Sequence, residues 1–365
     1  MNQQSRKTTV ITALFIWALF LGVIKYAGVI TTESRENLWW TGLLLLGAMI
    51  TGFLFQPMAK DLFPKGNDPR LLENPGLKLK DHETLMGYYP LVALIVGLGG
   101  ILISPLLFGR QVTFEIKSVH FWWATVGSGV LNVFIFYLFT KALRYGDVSL
   151  VSTTQSLVPI ISLPLSYLAF ALVGSGSGIT SPTVSTLGFI GIVITVIAIA
   201  ANGFLAKKKT PEGAPEGDWF AHHPVLTGAI STVIAGVAVN FDKVAVDAGN
   251  PFLHGIIVPF VVFLICMGWT LAEGGWERVS FVFRNYRRTF LLMGIVYAAI
   301  ILIMNTTLYG HNVNYYLAIK RVSVVFGAFY GIYVLREGGT PQEKFVRILT
   351  AMTVILGLFL ITLKG

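Results

Sequence analysis

The sequence has few cysteines and few charged residues. One cysteine, Cys266, occurs in 365 residues, so no disulfide bond can form within the chain. Charged residues make up 12% of the chain, whereas hydrophobic residues make up 54% and the mean hydropathy is +0.71. A water-soluble domain of this size could not bury so much apolar surface. These scarcities exclude a disulfide-stabilised secreted domain and a soluble globular protein.

Motifs of known enzyme classes are also scarce. His222 and His223 are adjacent, without the HExxH spacing of a zinc site, and the other histidines, including His254, are scattered along the chain. The segment 174–178, GSGSG, lacks the Gly-Lys-Ser/Thr ending of a phosphate-binding loop. We therefore expect a protein that is not an enzyme and that has no cofactor and no metal site.

The chain contains instead a series of apolar runs. Each is long enough to cross the roughly 30 Å hydrocarbon layer as a helix, at about 1.5 Å per residue. They lie near residues 8–30, 39–57, 87–108, 119–140, 148–173, 183–205, 224–241, 251–272, 289–309, 314–335 and 345–363. The runs lack the period-two alternation of a membrane β-barrel. The sequence predicts an all-α integral membrane protein with about eleven spans.

The 27 Lys and Arg residues are divided unevenly between the two sides of such a bundle. When the connecting segments are assigned alternately, one side holds the long loops expected at 58–86, 206–223 and 273–288, with their basic clusters. The same side holds Lys141, Arg144, Arg336, Lys344 and Arg347. The other side holds Arg35, Arg110, Lys117, Lys243 and Lys364. The positive-inside rule then predicts a cytoplasmic N-terminus and an outside C-terminus in the plasma or inner membrane. Because topology explains the basic charge, we expect the lipid bilayer as a partner and no nucleic acid.

The chain also contains a weak internal repeat. The segment TGLLLLGAMITG from Thr41 is similar to TGAISTVIAGVA from Thr227, and the two stretches lie on opposite sides of the Pro- and Gly-containing linker 206–223. Five spans precede this linker after the first span, and five follow it. An odd number of spans per repeat places the two repeats in opposite orientations, as in many secondary transporters. Homodimer formation is left open.

The predicted organisation therefore has four parts. They are an extra N-terminal transmembrane helix at 1–38, a first repeat at 39–205, a cytoplasmic linker at 206–223 and a second repeat at 224–365.

Two segments resemble the EamA domain of the drug/metabolite transporter superfamily. KALRYGDVSLVSTTQSLVPIISLPLS, with its Ala-Leu pair, polar break and Pro159, resembles the first repeat of that domain. DKVAV from Asp242, and RVSVVFGAFYGIYVLREGG with Glu337, resemble the second repeat. The resemblance covers about 39–363 and implies two inverted five-helix repeats and secondary transport of a small metabolite. The first repeat lacks a Glu equivalent to Glu337, and the extra first helix reverses the usual orientation.

Two adjacent cations, Lys320 and Arg321, lie inside the tenth run. One interpretation is that they bind an anionic group of the substrate, Arg321 by paired hydrogen bonds and Lys320 as a point charge. A second is that they form an internal ion pair with Asp242, either structural or as an outer gate. A third is that their long side chains reach the membrane interface.

Further polar residues within the runs complete the candidate site. We predict substrate contacts from Lys320, Arg321, Tyr316, Gln155, Asn132 and Asn305, and a gate or ion pair from Asp242 and Lys243. Gln155 lies four residues before Pro159, where a proline frees a backbone carbonyl. The sequence thus predicts a secondary transporter of a small metabolite, with an anion favoured. The alternative is a membrane-embedded enzyme that acts on lipid or isoprenoid phosphates.

Overall fold

The described part of the chain is built from helices. The computed structural model describes residues 46–51, 55–56, 79–108, 115–173, 186–205, 217–308, 317, 320–321, 323–337 and 340–362. The helices are α1 (Asp81–Phe108), α2 (His120–Tyr145), α3 (Val148–Thr154), α4 (Val158–Val173), α5 (Thr186–Leu205), α6 (Trp219–His222), α7 (Pro224–Ala248), α8 (Pro251–Leu308), α9 (Ser323–Phe329) and α10 (Pro341–Thr362). These ranges contain no strand.

The prediction of an all-α chain with membrane-length helices is confirmed for these residues. Five helices are long and apolar enough to cross a membrane: Asp81–Ile101, His120–Tyr145, Val148–Leu168, Pro224–Ala248 and Pro251–Asn305. Thr186–Ala198 and Ser323–Val334 are shorter apolar helices. The expected first helix at 1–38 and most of the run at 39–57 lie outside the described residues.

The helix α8 is two helices joined at a sharp break. Gly275 adopts φ 62° and ψ −168°, a backbone conformation that glycine reaches without the steric penalty of a Cβ. The arms are 251–274 and 276–308. We expected a loop at 273–288, but helix occupies this segment on both sides of Gly275. The second arm is about 50 Å long, which exceeds the hydrocarbon thickness of about 30 Å, so a helix here can extend beyond the membrane and carry its basic residues into water.

Two further irregularities interrupt the helical path. A 3-10 turn, Gln155–Leu157, separates α3 from α4, next to Pro159 as the proline argument predicts. The carbonyl of Gln155 accepts the N–H of Val158, because Pro159 has no N–H to offer. A π-helix, Tyr330–Val334, follows α9.

Helix packing brings distant parts of the chain together. The most extensive contacts join α1 to α8, α2 to α7 and α5 to α10, while α3 packs on α9. Several contacts involve glycine. A Cβ on Gly129 of α2 would lie 2.7 Å from Val261 of α8, and a Cβ on Gly294 of α8 would lie 2.7 Å from Leu91 of α1. Backbones can approach this closely because small residues leave the space.

One end of the bundle holds several ion pairs between segments that are far apart in sequence. They are Arg144–Asp81 at 3.0 Å, Lys80–Glu273 at 2.7 Å, Lys141–Asp218 at 2.7 Å, Arg278–Glu83 at 2.5 Å and Arg347–Asp147 at 2.8 Å. All of these segments lie on the side of the bundle that the positive-inside rule predicts to be cytoplasmic. Because these segments contact one another, any membrane topology must place them on the same side.

Candidate functional site

Asp242 lies at the centre of a polar network inside the helix bundle. The hydroxyl of Ser128 on α2 donates a hydrogen bond to Asp242 Oδ1. His254 Nε2, on the first arm of α8, lies 3.2 Å from the same oxygen. The side chain of Asp242 is 27% exposed, whereas that of His254 is 3% exposed. Asp242 is therefore the accessible member of a largely buried acid–imidazole pair.

The network continues along one face of α2. Thr125 Oγ1 lies 3.2 Å from His254 Nδ1, and the amide of Asn132 donates to the carbonyl and the hydroxyl of Ser128 at 2.9 and 3.0 Å. Residues three and four positions apart share a helix face, which explains how Thr125, Ser128 and Asn132 contribute together. Three helical segments, α2, α7 and the first arm of α8, thus build this wall.

Arg321 and Gln155 form a second wall of the candidate site. The guanidinium Nη1 of Arg321 donates to Gln155 Oε1 at 3.1 Å, and Arg321 is only 6% exposed. Gln155 stands on the 3-10 turn between α3 and α4. The helix break beside Pro159 therefore places the side-chain amide of Gln155 within hydrogen-bonding distance of Arg321.

Electrostatic interactions connect the two walls. Lys320 interacts with both Arg321 and Asp242, and the hydroxyl of Tyr297 interacts with Asp242. Asp242 on α7 thus interacts with Lys320, and Lys320 in turn interacts with Arg321.

A ring cluster packs beside the charged groups. The ring centroid of Tyr297 lies 4.9 Å from Phe55, 5.4 Å from Phe136, 5.6 Å from Tyr89 and 5.8 Å from Tyr88. Such offset and edge-to-face arrangements stabilise aromatic clusters. The cluster fixes Tyr297 on the second arm of α8, at the edge of the candidate site.

The predicted site residues have different places in the structure. Asn132 and Asp242 belong to the first wall, and Gln155 and Arg321 belong to the second. Lys243 bonds Asp247 at 2.9 Å on its own helix, and the Asn305 amide donates to the Pro251 carbonyl at 3.3 Å. Tyr316 lies outside the described residues. The expected ion pair of Asp242 with the cations takes the form of an electrostatic interaction with Lys320, and Asp242 bonds Ser128 and His254.

Ser128, Thr125, Tyr297 and His254 were not among the residues that the sequence predicted for the candidate site. His254 was grouped with scattered histidines because its partner Asp242 lies on the preceding helix, across the turn at Gly249 and Asn250. The spacing of Thr125, Ser128 and Asn132 on one helix face was a usable signal. In the part of the chain that the structure describes, no group of three or more His, Cys, Asp or Glu residues could hold a metal ion.

Comparisons with known proteins leave the family open. No protein-family model matches the chain, and no curated protein matches it. A solved structure described as "Crystal structure of protein" is similar, with a TM-score of 0.44 and 12% sequence identity over 86% of this chain and 96% of that one.

Proposed function

We propose that this protein is a secondary transporter that moves a small anionic metabolite by alternating access between two inverted repeats. The proposal assigns the first repeat to 39–205 and the second to 224–365, with an extra helix before them. Lys320 and Arg321 bind the anionic group. Asp242 and its partners form the opposite side of the binding site.

The observation that carries the proposal is the pattern of contacts between helices of the two repeats. If the repeats are equivalent, the run at 39–57 corresponds to α7, α1 to the first arm of α8, α2 to the second arm, and α5 to α10. The contact of Gly127 on α2 with Phe241 on α7 then corresponds to that of Gly47 with Ile303 on the second arm.

Further inter-repeat contacts among the described residues obey the same exchange. The contact of α2 with the first arm, at Gly129 and Val261, corresponds to that of the second arm with α1, at Gly294 and Leu91. Equivalent helices also pack on each other, α5 with α10 and α3 with α9. A pseudo-two-fold axis between the repeats makes the first kind of pairing reciprocal and allows equivalent helices near the axis to pack on each other; with an odd number of spans per repeat, such an axis lies in the membrane plane. This correspondence supports an inverted repeat beyond what the weak sequence similarity supports.

The chemistry of the site supports an anionic substrate. Arg321 is buried and always charged, and its planar guanidinium suits carboxylate and phosphate oxygens. Charged residues inside a membrane bundle are costly and mark substrate or ion pathways. The ion pairs at one end of the bundle also support the predicted topology, because they join the segments assigned to the cytoplasm.

The binding of an anion is tested by thermal unfolding of the purified full-length protein. The probes are inorganic phosphate, sulfate, succinate, glutamate and glucose 6-phosphate, each added separately. We expect at least one to raise the melting temperature of the parent, and we expect Lys320→Gln and Arg321→Gln to lose that increase. Lys243→Gln is the matched control, because it removes a buried cation whose carboxylate partner is Asp247.

Two results would contradict the proposal. Equal stabilisation of the parent and both site variants would show that the anion binds elsewhere. Release of phosphate from an added isoprenoid diphosphate, lost in the same variants, would favour the membrane-enzyme alternative. Thiol labelling of a cysteine introduced into the linker 206–223, in a Cys266→Ala background, tests the orientation in sealed vesicles.

A further inference from the structure

Thr125, His254 and Asp242 form a continuous chain of hydrogen-bonding groups. Thr125 Oγ1 is 3.2 Å from His254 Nδ1, and His254 Nε2 is 3.2 Å from Asp242 Oδ1. An ionised carboxylate only accepts hydrogen bonds, so the neutral imidazole carries its proton on Nε2. Its Nδ1 then accepts the hydroxyl hydrogen of Thr125. Every ring nitrogen is paired in this neutral state.

The same geometry also satisfies the protonated state. A protonated imidazole donates from both nitrogens, and the hydroxyl of Thr125 can accept as well as donate. Rotation of one hydroxyl hydrogen is therefore the only rearrangement that proton uptake requires. A buried histidine that pairs equally well in both states is suited to exchange a proton within a membrane.

The carboxylate offers a route for the proton. Both contacts of Asp242, from Ser128 and from His254, fall on Oδ1. Oδ2 has no hydrogen bond to the residues that the structure describes, and the side chain is 27% exposed. A proton that arrives from water can thus be held on Oδ2, while Oδ1 keeps the hydrogen bond from Nε2–H; the imidazole itself takes up a proton at Nδ1, on the side of the Thr125 hydroxyl.

Charged and titratable groups surround this pair on several helices. Tyr297 on the second arm of α8 and Lys320 both interact with Asp242, and Arg321 interacts with Lys320. On its own helix, Asp242 is followed by Lys243, which is paired with Asp247. The facing residues of α2, Thr125 and Ser128, are neutral. Lys320 is therefore the cation whose neutralisation would act most directly on the acid–imidazole pair.

We propose that Asp242 and His254 share one exchangeable proton, and that its uptake is linked to occupation of Lys320 by the transported anion. The inference rests on the proposed function and adds the coupling ion to it. An anion that neutralises Lys320 removes a positive charge near the pair, which favours proton uptake there. Linkage is reciprocal, so proton uptake favours anion binding equally. Anion and proton then cross together, and less net charge is moved through the low-dielectric interior.

The test needs no substrate. The full-length protein, labelled with ¹⁵N in its histidine rings and held in lipid nanodiscs, is titrated from acidic to basic pH by NMR. The His254 signals are identified by their loss in His254→Gln. If that variant does not fold, they are identified by elimination, by replacing the other histidines one at a time. The variants are Asp242→Asn, Lys320→Gln and Lys320→Arg, with Asp247→Asn as a second acid on the same helix.

We expect His254 to titrate in the parent, with its midpoint moved to lower pH by about 1 pH unit in Asp242→Asn, where an attractive charge is lost. Lys320→Gln, which imitates a cation neutralised by an anion, should move the midpoint to higher pH. Lys320→Arg and Asp247→Asn should leave it close to the parent value. If Asp242→Asn does not fold, the His254 midpoint in Lys320→Gln alone tests whether the pair responds to the neighbouring charge.

A His254 ring that does not titrate, or a midpoint indifferent to Asp242→Asn, would overturn the proton site. A midpoint indifferent to Lys320→Gln would overturn the linkage. Neither result would contradict anion transport itself, which the thermal-unfolding experiment tests separately.

Discussion

The carboxylate of Glu337 caps the helix that begins at Val148. Glu337 Oε1 accepts the backbone N–H of Val148 at 2.8 Å, and Oε2 accepts that of Ser149 at 2.9 Å. The first N–H groups of a helix have no partner within it, and a carboxylate there also interacts favourably with the helix dipole. Val148 and Ser149 are fully buried, so water cannot replace this acceptor. A side chain from the second half of the chain thus completes a helix of the first.

Replacement of Glu337 should destabilise the protein. We expect Glu337→Ala to lower the free energy of unfolding by about 1–3 kcal/mol, because buried donors lose their acceptor. Glu337→Gln should cost less, since its carbonyl oxygen can still accept one hydrogen bond. Thermal unfolding of the purified protein measures both. The control is Glu277→Gln, at an exposed position on α8; an equal effect of Glu277→Gln and Glu337→Ala would refute the capping role.

Gly331 should tolerate no side chain for the same structural reason. A Cβ at Gly331 would lie 2.3 Å from Glu337 Oε2 and 3.1 Å from the backbone nitrogen of Ser149. Gly331→Ala must therefore displace the cap, and we expect a lower melting temperature. Gly268→Ala is the matched control, because a Cβ there meets no atom within 4 Å and alanine favours helix by about 0.5–1 kcal/mol. The prediction fails if the two substitutions change stability in the same direction.

The helical architecture and part of the site could be predicted from the sequence. Long apolar runs can only be helices in lipid, and Pro159 cannot donate a hydrogen bond, so the break at Gln155 follows from local chemistry. The expected loop at 273–288 was wrong for a physical reason. Charge indicates that a segment lies in water, but it does not prevent the segment from being helical.

Tertiary contacts account for what the sequence could not predict. His254 meets Asp242 only because α7 and the first arm of α8 pack side by side, each rotated about its own axis so that these two side chains point towards each other. Ser128 joins them because glycines such as Gly129 let α2 approach closely. Neither the rotation nor the approach is encoded in the spacing of polar residues along one helix.

Acidic pH should weaken the contact between α2 and the segment that precedes α7. Partial burial acts to raise the pKa of Asp218, but hydrogen bonds from Lys141 and from the Ala221 N–H hold this pKa below its usual value. The resulting stabilisation is complete above the unfolded-state pKa and is lost as the pH falls through the lower folded-state pKa. Melting temperatures measured from neutral to acidic pH should fall less in Asp218→Asn than in the parent. Identical pH profiles would show that the pair contributes nothing.

Two ion pairs at the same end of the bundle should differ widely in their importance. Glu83 is 1% exposed in its side chain and receives two hydrogen bonds from Arg278, at 2.5 and 2.7 Å, whereas Lys80 and Glu273 are 52% and 38% exposed. Removal of one partner from a buried pair leaves an uncompensated charge, so Glu83→Gln should cost about 3–5 kcal/mol.

Lys80→Gln should cost at most about 1 kcal/mol, because water screens an exposed pair. Added salt should reduce the effect of Lys80→Gln and leave most of the effect of Glu83→Gln, since screening acts mainly on exposed charges. Urea unfolding at low and high salt measures both differences. If Lys80→Gln proved as costly as Glu83→Gln, burial would not be what sets the strength of these contacts.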